Sequence, residues 1–473
     1  MNMNSALKLK LSVSNRFVQS FCSGLMVVTW TLAPPTWGDQ PTTNTDDAVV
    51  RWPGFLGQGA SEVAAEKFPI QWEVPTALKW NIALPGHGQS SPVIWGDVAF
   101  ITSVEGPMKD DYHLLCLDVE TGKERWRRSI KNSVPVKNSL YVSRSAPTPV
   151  VDSQRVVALF ESGDCVAFDH AGEWQWQRDL SKDYGPFVAE FGLAASPCQN
   201  ETHVFVLLEH DGPSCLVALD KANGTTTWKA DRSARRSWSS PSIIRIGGEP
   251  QVVVSSAGSV DGYDPTSGQQ QWTFTDVGGN TGTTPLDLGE GRFLLAASGG
   301  RDGQNVAEAK KTNCLLQVTK TGDDYQVERL WVAEGASPTW ASPIMHQGYA
   351  YWVNRVGVVF CIDEKTGEVV YNERTKQQCW ATPLAVGDRI YLFGKEGLCT
   401  VIKSGPNFEI LSENQIWNDD ILLPEVSLAA GEETEERQQA AANFDRPTVY
   451  GYAVGAKTLI IRIGHQVFGL RLN

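Results

Sequence analysis

A proline preceded by a small hydroxyl residue recurs along the chain, and this repeat constrains the fold more than any other feature. The pairs are Ser91-Pro92, Thr148-Pro149, Ser196-Pro197, Ser240-Pro241, Thr284-Pro285, Ser342-Pro343 and Thr382-Pro383, with Arg446-Pro447 as a degenerate eighth. Successive prolines lie 40 to 64 residues apart. Because about 40 residues hold four short strands and their turns, each interval has the size of one blade of a radial repeat fold.

A second signature follows inside most intervals: Asp at the end of an apolar strand, Gly three or four residues later, and an aromatic residue four after the Gly. The sets are Asp118-Gly122-Trp126, Asp169-Gly172-Trp176, Asp220-Gly224-Trp228, Asp264-Gly268-Trp272 and Asp363-Gly367-Tyr371. Asp can bond the backbone of its own turn, and Gly supplies the positive φ of a tight hairpin. The aromatic residue then falls on the returning outer strand, where it can fill the wedge between twisted neighbouring blades.

Two units of the series depart from this second signature. The fifth has Lys320-Thr321-Gly322 but its tryptophan comes only at Trp331, and the seventh has Ser404-Gly405 with no aromatic residue four positions later. Their assignment as blades depends on their place in the series.

The number of blades follows from the two ends of the repeat region. Residues 447–472 have room for only three strands, near 449–454, 458–463 and 466–472. A fourth strand is available in 76–84, where apolar residues alternate and Trp80 matches the outer-strand aromatics. The sequence therefore predicts an all-β fold: an eight-bladed β-propeller of four-stranded antiparallel blades over residues 76–473, closed by an N-terminal strand in the last blade.

The region before the repeats predicts export. Lys8, Lys10 and Arg16 precede an apolar stretch at 24–33, and a cleavage site can be placed after Gly38, so residues 1–38 are predicted to be a signal peptide. The stretch is short for a membrane span of ~20 residues, although a retained signal anchor is the alternative. Residues 39–75 are predicted to be an extension lying over the ring. We expect a periplasmic or secreted monomer with no membrane insertion after the signal is removed.

The net charge and the placement of the cysteines argue against two classes of protein, nucleic-acid-binding proteins and disulfide-stabilised proteins. The net charge of −13 disfavours binding to nucleic acid, because an acidic surface repels phosphate. Cysteines begin the same repeated strand in four different units, at Cys165, Cys215, Cys314 and Cys399. This distribution around a ring favours buried free thiols over a disulfide framework.

Residues 75–473 resemble the PQQ-type β-propeller repeat family, whose units end in apolar-Asp-x-x-x-Gly-x-x-x-Trp. Residues 51–57 and 84–92 also look like the secreted propellers of planctomycete-type bacteria. The family includes the outer-membrane assembly factor B group, periplasmic eight-bladed propellers that dock on the machinery inserting β-barrels. The resemblance implies a non-enzymatic binding scaffold of the cell envelope that acts through protein–protein contacts.

The same family also includes PQQ-dependent quinoprotein dehydrogenases, which are the enzymatic alternative. Those enzymes resemble one another in an adjacent-cysteine disulfide against the cofactor, and this sequence has no Cys-Cys pair. The seven histidines form no zinc motif with a carboxylate, and neither a Gly-x-Ser-x-Gly elbow nor a phosphate-binding Gly-x-x-x-x-Gly-Lys-Ser/Thr loop is present. We therefore predict no cofactor, no metal and no catalytic residue.

A candidate binding face is formed by residues that lie just ahead of the inner strands, together with a histidine in a Gly-rich connection. They are Arg144, Arg236, Trp238, Trp340, Trp380 and His87. Tryptophan and arginine are the residues most enriched in binding hot spots, so these positions predict a channel-mouth surface for a protein or a cell-envelope polymer. The alternatives are that the tryptophans only plug the centre of the ring, that they stack on sugar rings in a carbohydrate-binding propeller, and that His87 is merely solvated.

An acidic insertion at about 425–445, between the seventh and eighth units, contains the run Glu432-Glu433-Thr434-Glu435-Glu436-Arg437. Such a run predicts either a solvated loop or a contact with a partner.

Overall fold

Eight antiparallel sheets follow one another along the chain in the computed structural model, which describes residues 49–64, 68–300, 305–424, 434–442 and 447–472. Each sheet contains one of the predicted units, which confirms the eight-bladed propeller. The predicted signal peptide, and much of the acidic insertion, lie outside the described residues. Within the described ranges, no helix has the length and apolar character needed to cross a membrane.

The N-terminal part of the described chain contributes three strands and a short helix, and a few other helices lie in the connections. The N-terminal elements are β1 (Arg51–Trp52), β2 (Glu62–Val63), α1 (Val74–Ala77) and β3 (Leu78–Ala83). The others are α2 (Leu180–Tyr184), α3 (Val306–Thr312), a 3-10 helix (Asp419–Ile421) and α4 (Glu435–Ala441).

Blades 1 to 4 each run from a Pro-led inner strand to an outer strand. Blade 1 has β4 (Val93–Trp95), β5 (Val98–Glu105), β6 (Asp111–Asp118) and β7 (Glu124–Lys131). Blade 2 has β8 (Val150–Val151), β9 (Arg155–Leu159), β10 (Asp164–Asp169) and β11 (Trp174–Asp179). Blade 3 has β12 (Cys198–Gln199), β13 (His203–Leu208), β14 (Ser214–Asp220) and β15 (Thr226–Arg232). Blade 4 has β16 (Ser242–Ile246), β17 (Glu249–Ser256), β18 (Ser259–Tyr263) and β19 (Gln270–Phe274).

Blades 5 to 7 repeat this order, and blade 8 combines strands from both ends of the repeat region. Blade 5 has β20 (Leu286–Asp287), β21 (Arg292–Leu295), β22 (Cys314–Thr321) and β23 (Asp324–Val332). Blade 6 has β24 (Ile344–His346), β25 (Tyr349–Val353), β26 (Val358–Asp363) and β27 (Val369–Arg374). Blade 7 has β28 (Leu384–Val386), β29 (Arg389–Phe393), β30 (Leu398–Lys403) and β31 (Ile410–Gln415). Blade 8 has β32 (Val449–Val454), β33 (Thr458–Ile463), β34 (Gln466–Arg471) and then β3.

Blade 8 closes the ring as predicted. β3 pairs antiparallel with β34, and Ile82 lies opposite Val467. The outer strand of the last blade therefore comes from the N-terminal side of the repeats, and pairing covers the edge that β34 would otherwise expose.

The outer-strand tryptophans join each blade to the next. The indole N–H of Trp126 donates to the carbonyl of His170 at 2.9 Å, and that of Trp228 donates to Pro265 at 3.0 Å. The glycine of the receiving turn lies against the indole face, where a side chain would clash. Trp331 makes the same contact with Glu364 at 2.6 Å. The late position of Trp331 in the sequence reflects the longer β22–β23 hairpin, so the fifth unit is structurally a complete blade.

In the seventh unit, part of the N-terminal segment packs on the outer strand. The indole N–H of Trp72 donates to the carbonyl of Gln415, at the end of β31, at 2.8 Å. The side-chain amide of Asn414 donates to the carbonyl of Ile70 at 2.9 Å. Residues 68–72 thus cover the outer strand of the unit that lacks the repeated aromatic.

The hydroxyl residues of the Ser/Thr-Pro pairs link adjacent inner strands. In five of them the backbone N–H donates to the hydroxyl oxygen of the pair in the next blade, at distances from 2.9 to 3.4 Å. The series runs through Ser91, Thr148, Ser196, Ser240, Thr284 and Ser342. Because all six of these residues are buried, the series satisfies backbone groups that water cannot reach, which explains why a hydroxyl precedes the proline.

The first described residues line the inside of the ring. β1 pairs antiparallel with the inner strand of blade 1, where Arg51 lies opposite Trp95. β2 pairs in parallel with the inner strand of blade 7, where Glu62 lies opposite Ala385. Residues 51–63 therefore pass along part of the central channel.

The eight described cysteines are all free thiols, and seven of them are buried. Burial raises the pKa of Cys165 and of Cys314 to about 12, so these thiols remain protonated at neutral pH.

Candidate binding face

One end of the ring carries the connections that lead into the inner strands, and we call this end the loop face. In a four-stranded antiparallel blade, the connection between blades lies at the same end as the connection between the second and third strands. All six predicted site residues lie in connections at this end. The structure divides them into an aromatic pair, an arginine–tryptophan group and two buried residues.

Trp340 and Trp380, which precede blades 6 and 7, form the aromatic pair. Their ring centroids are 4.6 Å apart and their planes meet at 89°, an edge-to-face arrangement that stabilises aromatic pairs. The guanidinium of Arg355 lies 6.0 Å from the Trp340 ring, and the ammonium of Lys395 lies 4.7 Å from the Trp380 ring. Trp340 remains 45% exposed. The pair thus presents one large ring to solvent in a fixed orientation.

Arg236 and Trp238, which precede blade 4, form the second group with Phe191. The indole N–H of Trp238 donates to the carbonyl of Gly192 at 3.1 Å, and its ring centroid lies 6.1 Å from that of Phe191. The guanidinium of Arg236 lies 5.8 Å from the Phe191 ring. Trp238 is therefore half-buried and held by its neighbours.

Two carboxylates surround the Arg236 guanidinium. Its Nε lies 2.6 Å from Oδ2 of Asp211, and its Nη1 lies 3.1 Å from Oε2 of Glu190. These contacts raise the pKa of Arg236, and the hydrogen bond to Asp211 has the largest effect. Nη2 of Arg437, in α4, lies 3.1 Å from the other oxygen of Glu190. The described part of the acidic insertion therefore contacts the connection between blades 2 and 3, through the basic residue that ends its acidic run.

His87 and Arg144 lie in the interior instead of on the accessible face, since they are 6% and 0% exposed. Burial is the main cause that lowers the pKa of His87, and the charges of Arg144 and Arg462 lower it further. Arg462 is also fully buried and donates to the carbonyl and hydroxyl of Ser90, and burial lowers its pKa to about 9. The basic cluster where blades 8, 1 and 2 meet is thus part of the packing beneath the loop face.

A cavity of about 260 Å³ opens on the loop face beside blades 1 to 3, and sequence reasoning did not identify it. Its polar wall includes Lys109 and Glu161, whose Nζ and Oε1 lie 2.9 Å apart and whose side chains are nearly fully buried. Val134 and Val136 line it and are 40% and 42% exposed. Arg437 also lines it. The loop face therefore combines exposed apolar side chains with paired charges.

The described residues do not fit a metal-dependent cofactor. Within the described ranges, no group of three or more His, Cys, Asp or Glu side chains could hold a metal ion. A calcium ion of the kind that accompanies PQQ needs several oxygen ligands, of which carboxylates are the usual charged members. The carboxylates in the described part of the chain form no group of three that could supply the charged ligands.

Comparisons with known proteins agree on the architecture. The family model described as outer membrane protein assembly factor BamB matches residues 70–186, 186–323 and 323–452. BamB from Moraxella catarrhalis is similar in structure, with a TM-score of 0.54 and 13% identity, over 83% of this chain and 99% of that chain. No curated protein sequence matches the chain.

Two enzymes have similar structures. They are the quinohemoprotein alcohol dehydrogenases of Comamonas testosteroni, with a TM-score of 0.56 and 9% identity, and of Pseudomonas putida HK5, with a TM-score of 0.53 and 10% identity. Each similarity covers 89% of this chain and 80% of the enzyme. At such identities the similarity establishes the propeller fold and nothing about activity.

Proposed function

The chain belongs to the family of the outer membrane protein assembly factor BamB, and from this premise we propose that it is a non-enzymatic binding propeller of the cell envelope. It acts in the periplasm or outside the cell and holds a partner protein on the loop face. The observation that carries this proposal is the Trp340–Trp380 pair, an oriented aromatic surface on that face.

The aromatic pair suits binding because its orientation is set before a partner arrives. An exposed side chain that is already ordered loses little conformational entropy on association. A tryptophan at the centre of an interface commonly contributes about 2 kcal/mol or more, which corresponds to roughly a 30-fold change in Kd. Trp340, with nearly half of its surface exposed, can supply such a contact.

The charges of the loop face favour a polypeptide over a neutral polymer. Arg236, Asp211, Glu190 and Arg437 form a connected set of ion pairs at the surface. Exposed pairs of this kind contribute little to stability, but they can select a partner by charge complementarity. A protein surface presents both charges and apolar side chains and can match both features.

The proposal is tested by capture from the native envelope with two tryptophan variants. Wild-type protein, Trp340→Ala and Trp174→Ala are crosslinked in the envelope and purified in parallel. Trp174 is the matched control, because it is 52% exposed but lies on the outer strand of blade 2, away from the loop face. We expect an envelope protein that is captured by wild type and Trp174→Ala and lost with Trp340→Ala. Equal capture by all three proteins would contradict the proposal.

The alternatives are separated by direct assays of the purified protein. Dye-linked oxidation of an alcohol or sugar after addition of PQQ and Ca²⁺ would establish the dehydrogenase that the two enzyme structures suggest by fold. Hits on a glycan array that depend on Trp340 would establish a carbohydrate-binding propeller. We expect neither.

A further inference from the structure

Part of the central channel is lined by the chain's own N-terminal residues. Beyond the two-residue pairings of β1 and β2, Gly96 donates its backbone N–H to the carbonyl of Val50 at 2.8 Å. Val151, in the inner strand of blade 2, donates to the carbonyl of Pro53 at 3.0 Å. The N-terminal segment therefore satisfies backbone groups along the inner edges of blades 7, 1 and 2.

These contacts show that the inner strands accept a further strand in either direction. β1 runs antiparallel to the inner strand of blade 1, whereas β2 runs parallel to the inner strand of blade 7. The edge of a sheet presents unpaired N–H and C=O groups that bind an extended backbone with little dependence on sequence. In this chain, the same mode of binding occurs inside a ring.

The inner strands of blades 2 to 5 border a cavity of about 500 Å³. One wall consists of residues 53–60 of the N-terminal segment, and the other includes residues of β8, β12, β16 and β20. In the part of the chain that the structure describes, β12, β16 and β20 are edge strands of their sheets. The volume lies within the range of about 300–1,000 Å³ that is usual for ligand pockets.

Side chains from neighbouring blades cap backbone carbonyls along this wall. The Nε2 of Gln199, in blade 3, donates to the carbonyl of Val151 at 2.8 Å. The hydroxyl of Ser242, in blade 4, donates to the carbonyl of Pro285 at 2.7 Å. These bonds are local substitutes for strand pairing, because enclosed carbonyls need a donor. A bound backbone can donate to these two carbonyls only where the side chain that now occupies each of them rotates away.

We propose that this cavity binds an extended polypeptide segment through backbone pairing with the inner strands of blades 3 to 5. The chain's own pairing in the same channel supports this choice of ligand, as does a lining that combines prolines, hydroxyls and amides with apolar side chains. Arg51 and Asp287 are the charged side chains among the lining residues, so the site suits a segment with small and mostly uncharged side chains. This site is distinct from the loop face and goes beyond the function proposed above.

Cys198 provides a probe of the cavity that needs no substitution. It lines the cavity in β12, and it is the one described cysteine that is not buried. Its modification by methyl methanethiosulfonate can be followed by peptide-mapping mass spectrometry, with the seven buried cysteines as internal references. Desolvation raises the pKa of the Cys198 thiol, so modification of the free protein is slow, and its rate is measured over an extended time at alkaline pH before peptide is added.

The test uses a short peptide of alternating Thr and Val, with both ends blocked, and a matched peptide in which every second backbone nitrogen is methylated. At a concentration about ten times its Kd, the first peptide occupies about nine tenths of the sites. It is therefore expected to slow Cys198 modification about tenfold, because only about one tenth of the molecules remain free to react. The methylated peptide is expected not to protect, because it cannot donate hydrogen bonds along one edge. Equal protection by both peptides, or none at millimolar concentration, would overturn the proposal.

A variant supplies a second measurement. Ser242→Phe places a large ring in the cavity and is expected to abolish protection by the unmodified peptide, while thermal unfolding shows whether the ring still folds. Full protection in a folded Ser242→Phe protein would also count against the site. If this variant does not fold, the comparison of the two peptides on wild-type protein decides the question.

Discussion

Trp176 of blade 2 donates its indole N–H to the backbone carbonyl of Lys221 in blade 3, with 2.8 Å between the two atoms. Gly224, in the same turn of blade 3, has a φ of +73° and lies against the face of the indole. The Asp–Gly turn and the outer-strand tryptophan of the repeat are therefore two halves of one contact between different blades. This explains why both recur together in the sequence.

Gly224→Ala is expected to destabilise the protein by about 1–3 kcal/mol, because the new methyl carbon would lie 2.6 Å from the Trp176 ring and the backbone has a positive φ. Denaturant unfolding measures the change. Gly248→Ala is the matched control, since its φ is +85° and an added Cβ meets nothing within 4 Å. A loss in the control as large as that in Gly224→Ala would show that backbone strain, and not the tryptophan contact, is responsible.

Ser196→Ala is expected to cost about 1–3 kcal/mol, because the buried N–H of Thr148 would lose its acceptor. Ser196→Thr keeps the hydroxyl oxygen and is expected to restore most of the stability. Both changes are measured by denaturant unfolding. If Ser196→Ala and Ser196→Thr are equally stable, the hydrogen bond between these blades contributes nothing to the free energy of unfolding.

The contact between Glu62 and His346 predicts a pH dependence. Nδ1 of His346 lies 3.2 Å from Oε1 of Glu62. Burial of the imidazole opposes protonation, but its hydrogen bonds to Glu62 and to the Gly387 carbonyl outweigh burial and raise the pKa of His346. A group with a raised pKa stabilises the folded state fully below its unfolded pKa of ~6.5, and this contribution is lost as pH rises through the folded value.

Glu62→Gln is therefore expected to lower the melting temperature more at pH 5.5 than at pH 8. Because Glu62 is about half exposed, solvent screens its interaction with His346. The effect of the substitution on the free energy of unfolding should therefore differ between the two pH values by less than about 1 kcal/mol. Thermal unfolding of both proteins at the two pH values measures it. A larger loss at pH 8 would contradict the raised pKa.

Replacing residues 78–83 by a Gly-Ser sequence of equal length is expected to open the ring, since β34 would lose its partner. An exposed strand edge pairs with other chains, so size-exclusion chromatography should show oligomers or aggregates. Addition of a synthetic peptide of residues 76–84 is expected to restore the monomer. A variant that stays monomeric, with an unchanged melting temperature, would show that β3 does not close the ring.

The blades could be predicted from the sequence because their signals are local. An Asp–Gly turn and an alternating strand form within a few residues, and even Trp331 fulfils its role despite its shifted position. The role of the hydroxyl before each proline could not be predicted, because the two bonded groups lie in different blades. It depends on a spacing between inner strands that no single repeat contains.

The candidate face could be predicted only in part. Trp340, Trp380, Arg236 and Trp238 lie on the loop face, but Arg144 and His87 are buried, because position ahead of an inner strand does not determine depth. The path of residues 51–63 through the channel left no signal, since two-residue pairings have no periodicity. The contact of Arg437 with Glu190 joins residues far apart in sequence and could not be foreseen.

The clasp between Leu78 and Leu470 has a consequence for the order in which the protein acquires its structure. β3 is synthesised before every other strand of the eight four-stranded blades, yet its partner β34 emerges only after the other seven blades. Long-range pairings of this kind form slowly, because a large loop must close before they contribute stability. A nascent chain interrupted between Gln415 and Gln466 would carry seven complete blades but would leave β3 without its partner, so the ring could not close.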